Sequence, residues 1–286
     1  MSQDALYRRA TRQGGFYQTH LGGLGLREPR RLRLWVCEAP AGPLPVLCTE
    51  VRDDFVLLVQ ALAHRNEPAA VPDAMGACFV SGFNNVDRLR DHRERWEAGE
   101  FGSEGAATWE EEFRRVAGRK ELYQDRFVIL WDGPYSNVPA GVLGLDAPDW
   151  LRLSRVIRLA HECTHYLTLR LFGVVRDDPL DELLADYAGV AAACGRFRAD
   201  WVHRFMGLEN FPDYRPGGRL ENYQGRTPLS PAAFGVLQAL VYRAAQALER
   251  FDAGVPAGRD RAFLIPQLAR LSLPELAAGL AEVPAC

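Results

Sequence analysis

The feature that most constrains this chain is His161-Glu162-Cys163-Thr164-His165, followed a short way on by Asp181-Glu182-Leu183-Leu184-Ala185-Asp186. On an α-helix, residues four apart share a face and lie about one turn, ~5.4 Å, apart along the axis. Two imidazoles so placed can hold one metal ion together, and the carboxylate between them can reach a water bound to that ion. The flanking residues supply the helix. Leu153, Val156, Ile157 and Ala160 recur at helical spacing upstream, and Leu167 and Leu171 carry the stripe on. Pro148 and Asp149 form a start signal and Gly173 a stop, which predicts one helix over about 149–172.

A second helix, over about 179–195, is predicted from Asp178 as cap, Pro179 as first helical residue and Asp181 in the first turn. The link between the two helices is short, so they are expected to run antiparallel. At a rise of about 1.5 Å per residue, Glu182 comes level with His165. Asp186, one turn further along, comes level with His161. Glu182 is therefore expected to complete a metal site with His161 and His165. Asp186 is expected to accept a hydrogen bond from the ring of His161, as carboxylates beside metal-bound histidines do.

His161-Glu162-x-x-His165 followed by Glu182-x-x-x-Asp186 resembles the gluzincin branch of the zincin metallopeptidases, the thermolysin-like group. That group carries HExxH on one helix and ExxxD on the next. The resemblance implies a Zn²⁺ hydrolase with a zincin-like fold, Glu162 as base, Glu182 as third ligand and Asp186 beside the metal. It spans these two helices and not the rest of the chain. The gap between His165 and Glu182 is shorter than in thermolysin-like enzymes, which leaves Asp181 open beside Glu182 as the third ligand.

The expected chemistry is metal-assisted hydrolysis. Zinc lowers the pKa of a bound water, and Glu162 takes its proton and later passes it to the leaving group. A donor to the developing oxyanion is expected downstream. Tyr223, Tyr214, His203, Arg219 and Arg226 are available, and Tyr223 is preferred because it lies in a long loop over 210–227. Loops of that length in compact domains are often functional. Three functions are in play. The leading one is a metallopeptidase or amide hydrolase acting on a peptide, a protein or a small amide. The second is a zinc hydrolase or biosynthetic enzyme acting on a small molecule. The third is a catalytically silent zincin-like protein that binds or regulates.

Composition narrows the setting. The net charge is −3, which argues against a nucleic-acid binder. Six cysteines are scattered with no CxxC, so no disulfide framework is expected and Cys163 and Cys194 read as small buried thiols. The first residues lack the apolar core of a secretory signal, and no run is long enough to span a membrane. A reduced, cytoplasmic protein with no membrane partner is the expectation.

The remaining patterns predict an α+β chain. Strands are expected over 31–37, 46–51, 77–80 and 126–131, with a turn over 40–45. Helices are expected from Asp53 or Asp54 to His64, and over 87–97 and 108–117, the second with a solvated, mixed-charge face. The 126–131 strand either pairs with an extended substrate or is a central core strand. Further helices are expected over 199–206, 231–251, 259–271 and 273–281. The first thirty residues read as a Gly- and Arg-rich arm, and 100–105 as a loop. In sum, a small mixed sheet with helices over 1–140 meets a mainly helical part over 141–286, with the metal in the cleft between. Length allows these to be one domain or two.

Overall fold

The computed structural model describes residues 24–101, 108–174, 176, 178–225, 227–256 and 258–280. The arm before residue 24 with His20, residues 102–107 of the loop expected near 100–105, Arg226 and Cys286 lie outside the described residues. The fold is α+β, with one four-stranded mixed sheet and a mostly helical remainder.

The strands are β1 (Arg33–Ala39), β2 (Gly42–Thr49), β3 (Ala77–Asn84) and β4 (Gln124–Trp131), in spatial order β1-β2-β4-β3. β1 and β2 form an antiparallel hairpin, closing with Ala39 opposite Gly42. β2 and β4 pair in parallel from Val46 opposite Val128 to Thr49 opposite Trp131. β3 lies antiparallel to β4, with a register shift between Val80 and Phe83.

Two expectations about the strands are corrected. The turn predicted over 40–45 is shorter, and Pro43 and Pro45 lie within β2. Both precede the start of β4 pairing at Val46, where a missing N–H costs no ladder bond on that side. β3 also continues through Gly82, because the irregularity after Val80 accommodates that residue.

Eight of the helices set the frame. α1 (Arg52–Leu62) begins before the expected Asp53 or Asp54 cap. Asp54 is instead buried and accepts the backbone N–H groups of Arg27 and Glu28, at 2.7 and 3.0 Å. α2 (Val86–Glu97) buries no residue, as its mixed charges suggest, and α3 (Trp109–Ala117) starts on a Thr108–Glu111 capping box. α4 (Ala147–Phe172) is capped by Asp146 and stopped by left-handed Gly173. α5 (Pro179–Cys194) is capped by Asp178, which accepts from Leu180 and Asp181, and stopped by Gly195. α6 (Ala199–Met206) and α7 (Pro231–Asp252) follow, and α8 is a single turn, Ile265–Leu268. The helix expected over 259–271 is thus broken, with a 3-10 turn at Arg261–Phe263 capped by Asp260 before it. A short α9 (Leu273–Ala278) follows.

α4 is the element both halves share. Its Cys163 and Tyr166 pack with Val46, Cys48, Val128 and Leu130 of the sheet. Its Trp150 and Ile157 join the helical core with Leu183, Leu184 and Tyr187 of α5 and Phe205 of α6. The opposite face of the sheet is covered by Phe55, Leu58 and Val59 of α1. The metal-ligand pattern therefore sits on a helix pinned from two sides. No helix among the described residues is long and apolar enough to cross a membrane.

Candidate metal centre

His161, Glu162 and His165 fall on the part of α4 that faces α5. His165 pairs with Asp181 and His161 with Asp186, so the two helices run antiparallel as expected. His165 Nδ1 donates to Asp181 Oδ2 at 2.8 Å, and His161 Nδ1 donates to Asp186 Oδ1 at 3.1 Å. Thr168 Oγ1 also reaches Asp181, at 3.4 Å. Asp181 and Glu182, the two alternatives for a third ligand, are placed differently. Asp181 turns to the far nitrogen of His165, while Glu182 turns to the near nitrogens of both rings. Glu182 Oε2 lies 3.5 Å from His161 Nε2, and Oε1 lies 3.3 Å from His165 Nε2.

With both Nδ1 atoms against carboxylates, each ring in its neutral form would carry its lone pair at Nε2. The two Nε2 atoms nevertheless face each other at 3.0 Å. Ligand atoms of His161, His165 and Glu182 all lie within 4.8 Å of one another. Three such converging groups need either shared protons or a cation between them. The charge count agrees. The buried charged groups here are four carboxylates, Glu162, Asp181, Glu182 and Asp186, and two guanidiniums, Arg158 and Arg219. The excess is two negative charges, which one divalent ion neutralises. The residues present thus fit a metal ion.

The titration behaviour of the groups follows from the same crowding. Burial alone would lower the His165 pKa, but Glu182 and Asp181 outweigh it and hold the ring well above its ordinary value. His161 is likewise raised against burial, by Asp186 and Glu182. Burial would raise Glu182, yet the two imidazoles bring it well below the usual carboxylate range. Without a metal, protons are drawn to the lone pairs that a cation would take.

Glu162 differs from its neighbours. It is buried, it lines the cavity over the centre, and its carboxylate has no hydrogen-bond partner among the described residues. Burial raises its pKa, against the pull of His161 and His165. A carboxylate so placed is a proton acceptor facing open space. The cavity holds about 550 Å³ and is walled by Ala77, Cys78 and Phe79 of β3 on one side and by Asn222 and Tyr223 on another. β4 is flanked by β2 and β3, so the 126–131 strand is a central core strand and cannot take an added one. The strand beside the cavity is β3, at the edge of the sheet.

The oxyanion candidates are placed unequally. Tyr223 reaches the site, where its hydroxyl donates to Glu182 Oε2 at 2.7 Å. Arg219 also reaches it, where it donates to Asp186. Tyr214 instead bonds the Gly218 carbonyl, and His203 stacks on Tyr242 and donates to its carbonyl. Arg226 lies outside the described residues.

Two contacts at the centre were not read from the sequence. Tyr135 Oη donates to Asp186 Oδ1 at 2.5 Å and lies 2.9 Å from His161 Nδ1. Burial raises its pKa well above the ordinary value, so it remains a donor. It is presented by a loop in which Ser136 and Asn137 take left-handed conformations, at φ 50° and 56°. Non-glycine residues in that region carry strain that tends to collect at functional sites. Arg158, one turn before His161 on the same helix face, donates to the Gly133 and Pro134 carbonyls of that loop. Its spacing of three from His161 was the one available signal.

The chain belongs to a family described as of unknown function, DUF7005, which matches residues 1–279. No curated protein and no solved structure matches it.

Proposed function

We propose that this DUF7005 protein is a zinc-dependent hydrolase of gluzincin type, acting as a metallopeptidase on peptide or amide bonds. The observation that carries the reading is the convergence of two imidazole lone pairs and the Glu182 carboxylate beneath a cavity that Glu162 also faces. His161, His165 and Glu182 would hold the zinc. When bound, it supplies Lewis acidity, acidifying water and polarising a carbonyl.

The chain's own residues do the rest. Asp186 and Asp181 hold the Nδ1 protons and so keep both Nε2 lone pairs directed inward. Glu162, raised by burial, accepts a proton from the attacking water and returns it to the leaving nitrogen. Tyr223 keeps the Glu182 carboxylate oriented through its 2.7 Å bond. It is also a hydroxyl donor available to a developing oxyanion, on releasing that bond.

Peptide is favoured over a compact small molecule by the shape of the cleft. A second cavity of about 560 Å³ shares Pro72, Ala74, Arg219 and Asn222 with the first. A second space therefore lies directly beside the centre. β3, with one side unpaired in the sheet, can offer main-chain hydrogen bonds to an extended chain. The five described cysteines are free, in keeping with a proposed cytoplasmic location.

Elemental analysis of the purified protein, beside a His161→Ala/His165→Ala variant, tests the site. Near-stoichiometric zinc in the parent and its loss in the variant is the expected result. Glu162→Gln should retain zinc while hydrolysis of a peptide library falls by about 10²–10⁴. A parent that takes up no zinc after reconstitution would sink the hydrolase reading.

A further inference from the structure

We propose that Arg219 is a positioning residue of the metal centre, acting through Asp186, and that with Tyr223 it forms a clamp on the two carboxylates of α5. The inference rests on the metal-site reading above. Arg219 and Tyr223 stand four apart on a single 3-10 turn, Arg219–Tyr223. Glu182 and Asp186 stand four apart on α5. The two pairs meet in reverse order, Arg219 with Asp186 and Tyr223 with Glu182. One short turn thus holds both the carboxylate proposed to bind the metal and the carboxylate that orients His161.

The contacts of Arg219 explain why a guanidinium is needed. One nitrogen, Nη2, donates to Asp186 Oδ2. The other, Nη1, donates to Tyr135 Oη at 2.9 Å and to Ser136 Oγ at 3.1 Å. Tyr135 in turn donates to Asp186 Oδ1, the oxygen that receives His161 Nδ1. Asp186 is therefore held at both oxygens, once directly and once through Tyr135. The planar fork makes these bonds at fixed angles, which a lysine ammonium cannot reproduce. Arg219 is nine-tenths buried, so its bonds are not shared with bulk water.

The turn is itself anchored outside the centre. Gly207, at the end of α6, and Gly218 touch through their backbones. A Cβ on Gly218 would lie 2.4 Å from the Met206 carbonyl oxygen and 2.6 Å from Gly207 Cα. Arg215 N donates to Gly207 O at 2.9 Å, and Tyr214 Oη donates to Gly218 O at 2.9 Å, closing the neck of the loop. The loop over 207–218 thereby sets where Arg219 and Tyr223 emerge.

Two effects of Arg219 oppose each other. Its charge repels a cation, while its bonds fix the residues that bind one. The test must hold charge constant. Arg219→Lys keeps the charge and loses the fork. Zinc affinity, measured on the full chain by competition with a chromophoric chelator, is expected to fall about 10- to 100-fold. Because Arg219 acts through Asp186, the same substitution in an Asp186→Asn background should change affinity by less than about threefold. Nitrogen-15 spectra of the metal-free protein, at a pH where the imidazoles are neutral, should show the single Nδ1–H tautomer of His161 in the parent and a mixture in Arg219→Lys. Tyr223→Phe, which removes one hydroxyl and leaves the ring, should weaken zinc about tenfold by freeing Glu182. It provides the test if Arg219→Lys does not fold. A parent that binds no zinc overturns the metal-site reading and the clamp with it. A parent that binds zinc while both variants bind it as tightly overturns the clamp alone. An equal loss in both Asp186 backgrounds would mean that Arg219 works by another route.

Discussion

At the scale of single residues, the centre depends on which carboxylate meets which nitrogen. Asp181 and Glu182 are adjacent in sequence and both buried, yet they face different atoms of His165. Asp181 Oδ2 takes the Nδ1 proton, while its Oδ1 has no partner among the described residues. On the proposed metal site, Asp181 would orient His165 and Glu182 would ligate, a division with a measurable consequence. Asp181→Asn keeps an acceptor for the His165 proton, so zinc affinity should fall by about 10- to 100-fold. Glu182→Gln should abolish stoichiometric zinc. Comparable zinc content in the two variants would overturn the division of roles.

At the scale of elements, the centre exists because α4 and α5 approach closely along their length. Gly189 of α5 lies against Ile157 of α4, one turn before His161. A Cβ there would sit 2.7 Å from the Ile157 carbonyl oxygen and 3.0 Å from its Cγ2. Helix propensity alone would make Gly189→Ala stabilising by about 1 kcal/mol. The backbone clash reverses the sign, because a carbonyl inside a helix cannot move away as a side-chain tip can. Overpacking of this kind costs about 1–3 kcal/mol. Thermal denaturation of Gly189→Ala should therefore show a lower Tm than the parent, and an unchanged or higher Tm would mean the helices separate freely at this point. The edge position of β3 belongs to the same scale, since its place beside the cavity follows from strand order.

At the scale of the whole molecule, Asp132 ties the sheet to the helical half. It follows β4 and binds Arg33 of β1 at 2.8 Å and Arg155 of α4, also at 2.8 Å through Nε. Burial would raise its pKa, but the two guanidiniums more than offset this and hold it below the ordinary carboxylate value. A folded pKa below the unfolded one, about 3.9, contributes stability that is fully present above the unfolded value. That stability is lost as the pH falls through the folded value. Asp132→Asn should be less stable than the parent at neutral pH, by a modest amount because both arginines are nearly half exposed. Chemical denaturation should show the gap closing as the pH drops below the ordinary carboxylate range. A gap that persists in acid would assign the effect to packing and not to the ion pairs.

Local features of the sequence determined much of what surrounds the centre. The bounds of α4 and α5 follow from Asp146, Pro148, Gly173, Asp178, Pro179 and Gly195, each acting within a turn or two of its own position. The spacing of His161 and His165 is a property of one helix. The meeting with Glu182 and Asp186 needs only a short link and an antiparallel return. Tertiary structure alone decided the rest. Tyr135 is 26 residues from His161, and Arg219 is 33 residues from Asp186. Neither contact leaves a periodic trace, because loops carry no repeat that points to a distant partner. Pro43 and Pro45 read as a turn because proline lacks an N–H, and only the staggered start of β4 made a strand possible there. Strand order, which places β4 inside the sheet and β3 at its edge, is likewise a matter of long-range pairing that side-chain alternation within one strand does not encode.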